Sequence, residues 1–401
     1  MKIQIRLQKI IAQKKYVVLT YVAFALIASI LSLAGRKRTF DQSGIQHTKY
    51  NNYVIFKSSF YHLKEGKDLY VLYPQEHWDL YKYTPTFSAL FGALAALPDW
   101  VGLNVWNLLN ALLFVLAIYY LPFFNDYKKG LILAVCLIEL MTSMQNSQSN
   151  ALMAGLIILA VGLLEKDKYL WATLCVVFSI YIKLFGIVGL ALFLLYPKKL
   201  KLTLYSLAWA VVLFAVPLIF VSWQQYAGLM QSYLSLLSHD HAASYGYSVM
   251  GWLNSWFGYA DSKNMVVLAG AIIFMLPFCK VKNYTSHTFR LLMLASVLVW
   301  VVIFNHKAES PTFVIAIAGV ALWFTHGEKN IVNITLFALA FIFASLSPTD
   351  IFPRFVREEF VKPYCLKAVP CIFIWGKIMY DLLTSKPSMA SKPLHIENEK
   401  E

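Results

Sequence analysis

The stretch YPQEHWDLYKYTP, residues 73–85, places two carboxylates and a histidine among aromatic residues, directly before an apolar run. Its candidate functional residues are Glu76, His77, Asp79 and Tyr83. A carboxylate can accept a proton from a hydroxyl group, and imidazole and phenol groups can bind a polar ligand. If the stretch were helical, Glu76 and Asp79 would share one face, three residues apart. The alternative is a charged segment that its aromatic residues anchor at a membrane interface.

A second group of ionisable residues lies in NHKAES, residues 305–310, between two apolar runs. His306, Lys307 and Glu309 fall within this short turn. Charged groups at a membrane edge are costly and are commonly functional, so the turn predicts a binding or catalytic site. A polar hairpin that only joins two helices is the alternative.

Further residues are suited to binding an anion or a hydroxyl group. Lys183 interrupts the apolar run CVVFSIYIKLFGIVGLALFLLY, where a charge is costly without a partner such as phosphate. Its side chain could instead extend toward the interface. Arg354 and Arg357, in PRFVREEFVK, could also bind phosphate or could pair with neighbouring glutamates. Gln148 and Asn150 carry amides suited to ligand hydroxyl groups, although helix capping or bonding between helices would also explain them.

The composition indicates a polytopic membrane protein. Of the 401 residues, 59% are hydrophobic and only 14% are charged, against about 25% charged residues in soluble domains. The first apolar run, residues 16–34, is long enough to span a bilayer and lacks a small-residue cleavage site, so we interpret it as an uncleaved span. The net charge of +14 comes mostly from clusters between apolar runs, which suits membrane anchoring and argues against a nucleic-acid partner.

The elements that must position these groups are a series of apolar runs and one additional short run. The short run, residues 85–98, is bracketed by prolines, and we expect a helix in the interface there. The expected fold is an all-α polytopic membrane protein with about 12 transmembrane helices in one domain, residues 1–384, followed by a cytoplasmic tail, residues 385–401. The longer runs lie at about 16–34, 101–121, 130–145, 151–164, 169–182, 184–197, 202–222, 265–279, 289–305, 311–326, 331–346 and 368–384.

Most basic clusters alternate along the chain as the positive-inside rule requires for a protein with both termini in the cytoplasm. RKR at residues 36–38 is the exception, and the basic N-terminus and the later loops outweigh it. The predicted outer loops are residues 35–84, 223–264 and 347–367, and Lys183 falls on the same side. Channels and carriers tend to place functional polar groups at the bilayer midplane. Here Glu139 lies within an apolar run and is interpreted as a structural acid. Polar groups in loops and at helix ends suit an enzyme that handles a lipid-borne substrate at the membrane surface.

Residues 51–110 resemble the first outer loop and following helices of glycosyltransferase family 87, also known as DUF2029. An aromatic stretch, a glycine and a DxY motif at residues 53–70 are followed by YKYTP, residues 81–85. Later segments resemble the family's motifs in order: SQSN matches GQxN with serine replacing glycine, and IKLFG matches iKxfP. YSVMGWL and FNHKAESPTF resemble its outer-face motifs. The similarity extends over residues 45–345.

The resemblance implies a GT-C-like fold with a catalytic base on the outer face. The family usually carries an acid before the aromatic stretch, but Asn52 occupies that position and cannot take a proton at neutral pH. GT-C enzymes commonly place their acid soon after the first span, which makes Asp41 the first candidate base. Glu76, Asp79 and Glu309 are the alternatives. The predicted substrate-binding residues are Asn52, His77, Tyr83, Gln148, Asn150, Lys183, His306, Lys307, Arg354 and Arg357.

The resemblance further implies a hexosyltransferase that takes its sugar from a polyprenyl phosphate, with mannose as the first candidate sugar. Such a transfer would invert the anomeric configuration by single displacement. We expect a glycan or glycolipid acceptor on the outer face of the cytoplasmic (inner) membrane. The chain lacks the metal-binding DxD motif of nucleotide-sugar enzymes, and SHDHA at residues 238–242 has no further spaced ligands, so no metal or other cofactor is expected. The alternatives are a transporter or flippase of a lipid-linked sugar and, because of Asn52, a non-catalytic assembly partner.

Overall fold

The computed structural model describes residues 8, 11–39, 44–240 and 244–386, and most of this part of the chain is helical. The two strands among the described residues, β1 (Arg38–Thr39) and β2 (Gln46–His47), form a small antiparallel pair.

Helices account for the rest of the regular structure. The α-helices are, in chain order, α1 (Lys14–Leu33), α2 (Asn51–Lys64), α3 (Pro85–Ala95), α4 (Asp99–Tyr120), α5 (Asp126–Gln145), α6 (Asn150–Leu164), α7 (Tyr169–Ile182), α8 (Lys199–Ala215), α9 (Trp223–Asp240), α10 (Val249–Phe257), α11 (Lys263–Met275), α12 (His287–Ile303), α13 (Phe313–His326), α14 (Ile331–Ala340), α15 (Arg354–Val356) and α16 (Val369–Thr384). The 3₁₀ helices are Leu184–Leu195, Val216–Ile219, Leu276–Cys279, Val281–Asn283 and Ser310–Thr312, and the π-helical turns are Phe341–Leu346 and Arg357–Val361.

The expectation of an all-α polytopic membrane protein is confirmed. Every apolar run identified in the sequence is helical, with ends a few residues from the expected ones. Three helical stretches are long and apolar enough to cross a membrane by length and composition, namely α1, α4 and Lys199–Ile219. Other apolar helices of the described residues have only 10–17 residues. Helices this short match a bilayer only with the help of flanking residues or local thinning.

Helix α3 begins where the sequence predicts the additional short helix. Thr84 is its N-cap, and Thr84 Oγ1 accepts a hydrogen bond from the Phe87 N–H at 3.3 Å. Pro85 occupies the first helical position, where its missing N–H leaves no hydrogen bond unmade. The YKYTP motif therefore ends the preceding loop and starts the helix.

Four α-helices, α2, α9, α10 and the short α15, lie in loops for which the sequence predicted no helix. In α2, Tyr53 and Phe56 are fully buried. The Phe56 ring packs edge-to-face on Tyr83 and Phe91, with ring centroids 4.8 and 5.4 Å apart. The spacing of these aromatic residues is helical, but the polar residues between them gave the segment the composition of a loop.

Helices α6, α12 and α13 lie at the centre of the core, and almost every side chain in them is buried. By contrast, α8 and α11 expose large apolar residues such as Leu207, Val211 and Ile272. A polytopic membrane protein presents such surfaces to lipid, where exposed apolar side chains carry no hydrophobic free-energy cost. The distribution of exposed apolar residues therefore agrees with the membrane assignment.

A buried ion pair joins α5 to the segment before α16. Lys367 Nζ lies 2.8 Å from Glu139 Oε1 and donates a second hydrogen bond to the Ala344 carbonyl at 2.7 Å. The two side chains are 2% and 0% exposed, respectively. Glu139 therefore faces the bundle, as expected of a structural acid, and Lys367 is a partner that the sequence analysis did not identify.

We expect Lys367→Met to destabilise the protein strongly, by about 3–5 kcal/mol, because it leaves the Glu139 carboxylate buried without a cation. The double variant Glu139→Met/Lys367→Met should recover most of this loss. The midpoint of thermal unfolding in detergent, followed by circular dichroism, measures the effect. Lys377→Met is the control, since Lys377 pairs with Asp381 at a partly exposed position. Equal effects of Lys367→Met and Lys377→Met would contradict the prediction.

Candidate active site

One end of the bundle gathers the polar segments that the sequence analysis assigned to the outer face. Trp106 Nε1 in α4 donates a hydrogen bond to the Ser147 carbonyl at 2.9 Å. The Tyr247 N–H, just before α10, donates to the Ala308 carbonyl, just before α13, at 2.9 Å. We call this end of the bundle the site end.

A chain of four polar side chains crosses the site end. Lys183 Nζ donates to Asn150 Oδ1 at 2.8 Å, and Asn150 Nδ2 donates to Gln148 Oε1 at 2.6 Å. Gln148 Nε2 donates to Glu309 Oε2 at 3.0 Å. Asn150 is fully buried, whereas Glu309 is exposed. This polar chain connects an accessible carboxylate to an enclosed ammonium group through two amides.

Lys183 lies in the turn between α7 and the 3₁₀ helix Leu184–Leu195. Its ammonium group lies 5.3 Å from the centre of the Tyr83 ring and 5.9 Å from that of Phe185. Burial lowers the pKa of Lys183 to about 8, although the Glu309 carboxylate opposes this shift. An amide and two aromatic faces offset only part of the cost of enclosing the charge, so Lys183 retains the capacity to bind an anion.

Tyr83 lies beside Lys183 and within electrostatic reach of a further carboxylate, Asp79. Ser149 Oγ donates to Tyr83 Oη at 3.4 Å. Burial raises the pKa of Tyr83, and the Glu309 and Asp79 carboxylates contribute to the same shift. Asp79 is therefore close enough to raise the pKa of the Tyr83 hydroxyl group. Its carboxylate pairs with Lys82 at 3.1 Å.

Glu76 and His77 do not join the polar chain. Residues 74–79 form turns and bends, so Glu76 and Asp79 do not share a helical face. Glu76 Oε1 lies 3.1 Å from His62 Nε2. Partial burial acts to raise the pKa of Glu76, but hydrogen bonding to His62 and a neighbouring serine outweighs burial and lowers it. The His77 side chain is 2% exposed, and burial lowers its pKa, which leaves the imidazole neutral at pH 7.

The SQSN segment ends α5 with an unusual backbone conformation. Ser147 adopts φ = 52°, in the left-handed region. The Gln148 N–H donates to the Ser143 carbonyl at 3.1 Å and the Ser147 N–H to the Met144 carbonyl at 2.9 Å, which is a Schellman motif. This position favours glycine, the residue that the similar GQxN motif has there. The Ser147 side chain is buried, and its Oγ has no hydrogen-bond partner within the described part of the chain.

The turn at residues 305–310 is held by the segment before α10. Ser244 Oγ donates to the His306 carbonyl at 3.0 Å. Gly246, at φ = 55°, approaches the same carbonyl so closely that a Cβ atom would lie 2.6 Å from the oxygen. The Lys307 N–H donates to Asn305 Oδ1 at 2.9 Å. These bonds fix the backbone that carries His306, Lys307 and Glu309 at the site end.

Asn52, at the position where the similar family has an acid, donates from Nδ2 to the Asn146 carbonyl at 2.8 Å. It therefore lies beside the end of α5.

Asp41 belongs to residues 40–43, which are outside the described residues, so its role as a base stays a prediction. The SHDHA side chains from residue 239 onward are outside them as well. Among the residues that the structure describes, no three His, Cys, Asp or Glu side chains are grouped so as to hold a metal ion.

A pocket of about 450 Å³ begins at Ser310, the residue after Glu309. We call it the arginine pocket, since it contains both predicted arginines. It brings together the end of α5, Tyr247 before α10 and the loop before α16, which are far apart in sequence. Its lining includes Asn146, Ser310, Arg354, Arg357, Glu358 and Lys362, and Lys367, which pairs with Glu139, also lines it.

The structure thus gathers seven predicted residues around two adjoining places. Tyr83, Gln148, Asn150, Lys183 and Glu309 surround the polar chain, and Arg354 and Arg357 line the arginine pocket. Sequence reasoning missed Ser149, Lys82 and Lys362. Ser149 lies inside the SQSN motif and Lys82 between the two tyrosines of YKYTP, so those motifs carried the signal, whereas no local pattern indicates Lys362.

Comparisons with known proteins add independent information. A sequence model described as Glycosyltransferase family 87 matches residues 81–304, more than half of the chain. A search of curated proteins finds no match. The structure is similar to the crystal structure of ArnT from Cupriavidus metallidurans bound to undecaprenyl phosphate. That match has a TM-score of 0.41 and 12% sequence identity, and it covers 91% of this chain and 76% of that chain. At this distance it carries no inference about function.

We expect Ser147→Gly to stabilise the protein by about 1 kcal/mol, because glycine adopts the left-handed conformation without the steric cost of a Cβ atom. It also removes a buried hydroxyl without a partner in the described structure. The midpoint of thermal unfolding in detergent should rise. Ser149→Gly is the matched control, since Ser149 has φ = −86° and gains nothing from glycine. A lower midpoint for Ser147→Gly than for the wild type would refute the prediction.

Proposed function

The chain belongs to glycosyltransferase family 87, and we propose that it transfers a hexose from a polyprenyl-phosphate donor to an acceptor at the membrane surface. The observation that supports this most directly is the polar chain. It joins Glu309, an accessible carboxylate, to Lys183, an enclosed cation that an anion would stabilise. A base and an anion-binding group close together are the parts that sugar transfer from a lipid phosphate requires.

In the proposed reaction, the acceptor hydroxyl oxygen attacks the anomeric carbon of the donor sugar. The bond between that carbon and the phosphate oxygen breaks, and the polyprenyl phosphate leaves with the bonding electrons. Glu309 accepts the hydroxyl proton, and Lys183 stabilises the negative charge of the departing phosphate. Gln148 and Asn150 orient these two groups relative to each other. A single displacement of this kind inverts the anomeric configuration, and mannose is the first sugar to test.

Glu309 is the favoured base among the candidate carboxylates that the structure describes. Glu76 interacts with His62, and its pKa is lowered, which makes it a weaker base. Asp79 lies near Tyr83 but forms an ion pair with Lys82. Glu309 is exposed, and a neutral amide, Gln148, is the hydrogen-bond partner of its carboxylate. It can therefore meet a hydroxyl group without first breaking an ion pair.

We propose that the site end faces away from the cytoplasm, in a cytoplasmic membrane. The opposite end of the bundle carries many of the lysines. Lys166 lies 3.6 Å from the centre of the Tyr120 ring, and Lys198 lies 5.2 Å from that of Tyr169. Basic residues of this kind are enriched on the cytoplasmic side of membrane proteins. This orientation places the reaction on the outer leaflet.

The activity test uses purified protein with polyprenyl-phosphate mannose, glucose or galactose and a membrane lipid extract as the source of acceptor. The expected result is release of polyprenyl phosphate together with a glycosylated product, without added metal. Proteoliposomes separate this function from that of a flippase, which would change the sidedness of the donor without changing its chemistry. Folded protein that leaves every donor chemically unchanged would refute the proposal.

Glu309→Gln should lower kcat by about 10²–10⁴-fold, because the variant cannot accept the acceptor proton. The glutamine can still bond to Gln148, so donor binding should change little. Initial rates at saturating donor measure the effect, with Glu76→Gln, Asp79→Asn and Asp41→Asn assayed in parallel. Asp261→Asn, at an exposed position between α10 and α11, is the control for losing a carboxylate. Full activity in Glu309→Gln would exclude Glu309 as the base.

The donor kcat/KM should fall as pH rises above about 8. Lys183 is protonated below its pKa of about 8 and can then hold the donor phosphate, but it loses this charge at higher pH. Lys183→Arg keeps its charge over the whole range, so its profile should stay flat between about pH 7 and 9.5. Rates at subsaturating donor measure the two profiles. Identical profiles for the wild type and Lys183→Arg would show that another group controls the pH dependence.

A further inference from the structure

The arginine pocket contains two arginine side chains, and neither forms an ion pair with Glu358, the carboxylate that lines the pocket. Both oxygens of Glu358 lie 2.7 Å from Lys362 Nζ, so these two charges pair with each other. Within the described structure, no carboxylate lies within ion-pair distance of Arg354. Arg357 Nη1 lies 3.5 Å from Asp350, whose side chain is fully exposed, and such a surface contact contributes little. The same Nη1 donates to the Pro348 and Thr349 carbonyls, which do not neutralise its charge. Two guanidinium groups in one pocket favour an anionic ligand with several oxygens, such as a phosphate.

The segment that carries these arginines also exposes large aromatic residues. Phe355 and Phe360 leave 59% and 50% of their surface exposed, and Tyr364 leaves 47% exposed. Trp256 Nε1 donates to the Tyr364 carbonyl at 2.8 Å, which adds α10 and its exposed Phe257 to the same surface. Aromatic residues next to arginines are typical of a surface at the level of lipid headgroups. A ligand with both a phosphate and an acyl chain matches this combination better than a soluble anion does.

The position of the pocket relative to Glu309 suggests which lipid it holds. Glu309 bonds to Gln148 of the polar chain, and the next residue, Ser310, lines the arginine pocket. The carboxylate therefore lies between two places that favour anions. Lys183, at the other end of the polar chain, suits the donor phosphate, and the arginine pocket beside Glu309 suits a phosphate on the acceptor.

We propose that the arginine pocket binds the phosphate of an anionic lipid and that this lipid is the sugar acceptor. The inference rests on the proposed function and adds the chemical class of the acceptor. Lys183 then holds the donor phosphate, Arg354 and Arg357 hold the acceptor phosphate, and Glu309 faces the acceptor hydroxyl between them. Both substrates reach the site from the membrane, each held by its own phosphate.

The test measures lipid binding to the full-length protein in detergent by native mass spectrometry. Dioleoyl phosphatidylglycerol is the probe for the arginine pocket, and undecaprenyl phosphate is the probe for Lys183. Arg354→Gln/Arg357→Gln should weaken phosphatidylglycerol binding at least about tenfold and leave undecaprenyl phosphate binding unchanged. Lys183→Met should show the opposite pattern. Loss of undecaprenyl phosphate binding in the double arginine variant, with phosphatidylglycerol binding intact, would overturn the assignment.

Two further variants control for folding and for total charge. Arg354→Lys/Arg357→Lys keeps both charges and should retain most of the phosphatidylglycerol binding. Lys199→Gln/Lys201→Gln removes two exposed cations at the opposite end of the bundle and should have no effect. An equal loss in this control would overturn the proposal. Displacement of phosphatidylglycerol by inorganic phosphate at equal concentration would overturn the assignment of the ligand as a lipid.

The outcomes separate this inference from the proposed function. Arginine-dependent binding of phosphatidylglycerol in a protein that transfers no sugar would count against the proposed function alone. Sugar transfer to an acceptor without phosphate, unaffected by Arg354→Gln/Arg357→Gln, would count against this inference alone. In a positive result, the double variant raises the KM for a phosphate-bearing lipid acceptor while the KM for the donor stays the same.

Discussion

The enclosed charge of Lys183 is the constraint on which the site end depends. An ammonium group among apolar helices is costly, and here the Asn150 amide and the face of Tyr83 offset part of that cost. Gln148 orients Asn150, and Gln148 itself donates to Glu309. One cation at the end of α7 therefore determines the positions of three polar side chains from two other segments of the chain.

This arrangement requires backbone turns with little room for side chains. A Cβ atom on Gly186 would lie 2.5 Å from Ser179 Oγ, so glycine allows the chain to reverse directly after Lys183. Gly246 allows a similarly close approach to the turn that carries Glu309. Ser147 adopts the left-handed conformation without being glycine, which costs stability beside Gln148. Strained or tightly packed backbone therefore lies next to the groups proposed to act on substrate.

Lys367, which is buried, and Lys183, which is partly buried, illustrate the difference between a structural charge and one available for a ligand. Lys367 has the Glu139 carboxylate at 2.8 Å, so its charge is neutralised inside the bundle. Lys183 has only a neutral amide at the same distance, and its charge can still attract an external anion. Lys362 and Arg354 differ in the same way at the arginine pocket, because only Lys362 forms an ion pair with Glu358. The partner of each cation, more than its burial, separates the two roles.

The sequence by itself determined the membrane class, the helical runs, the family resemblance and most of the candidate residues, because hydropathy and motif order are local properties of the chain. It identified Lys183, Asn150, Gln148 and Glu309 as separate candidates without relating them to one another. Only the tertiary structure decided that they form one hydrogen-bonded chain and that Glu76 turns away toward His62. Gln148 and Glu309 are 161 positions apart, and contact between such distant residues depends on how helices pack, which no local pattern encodes.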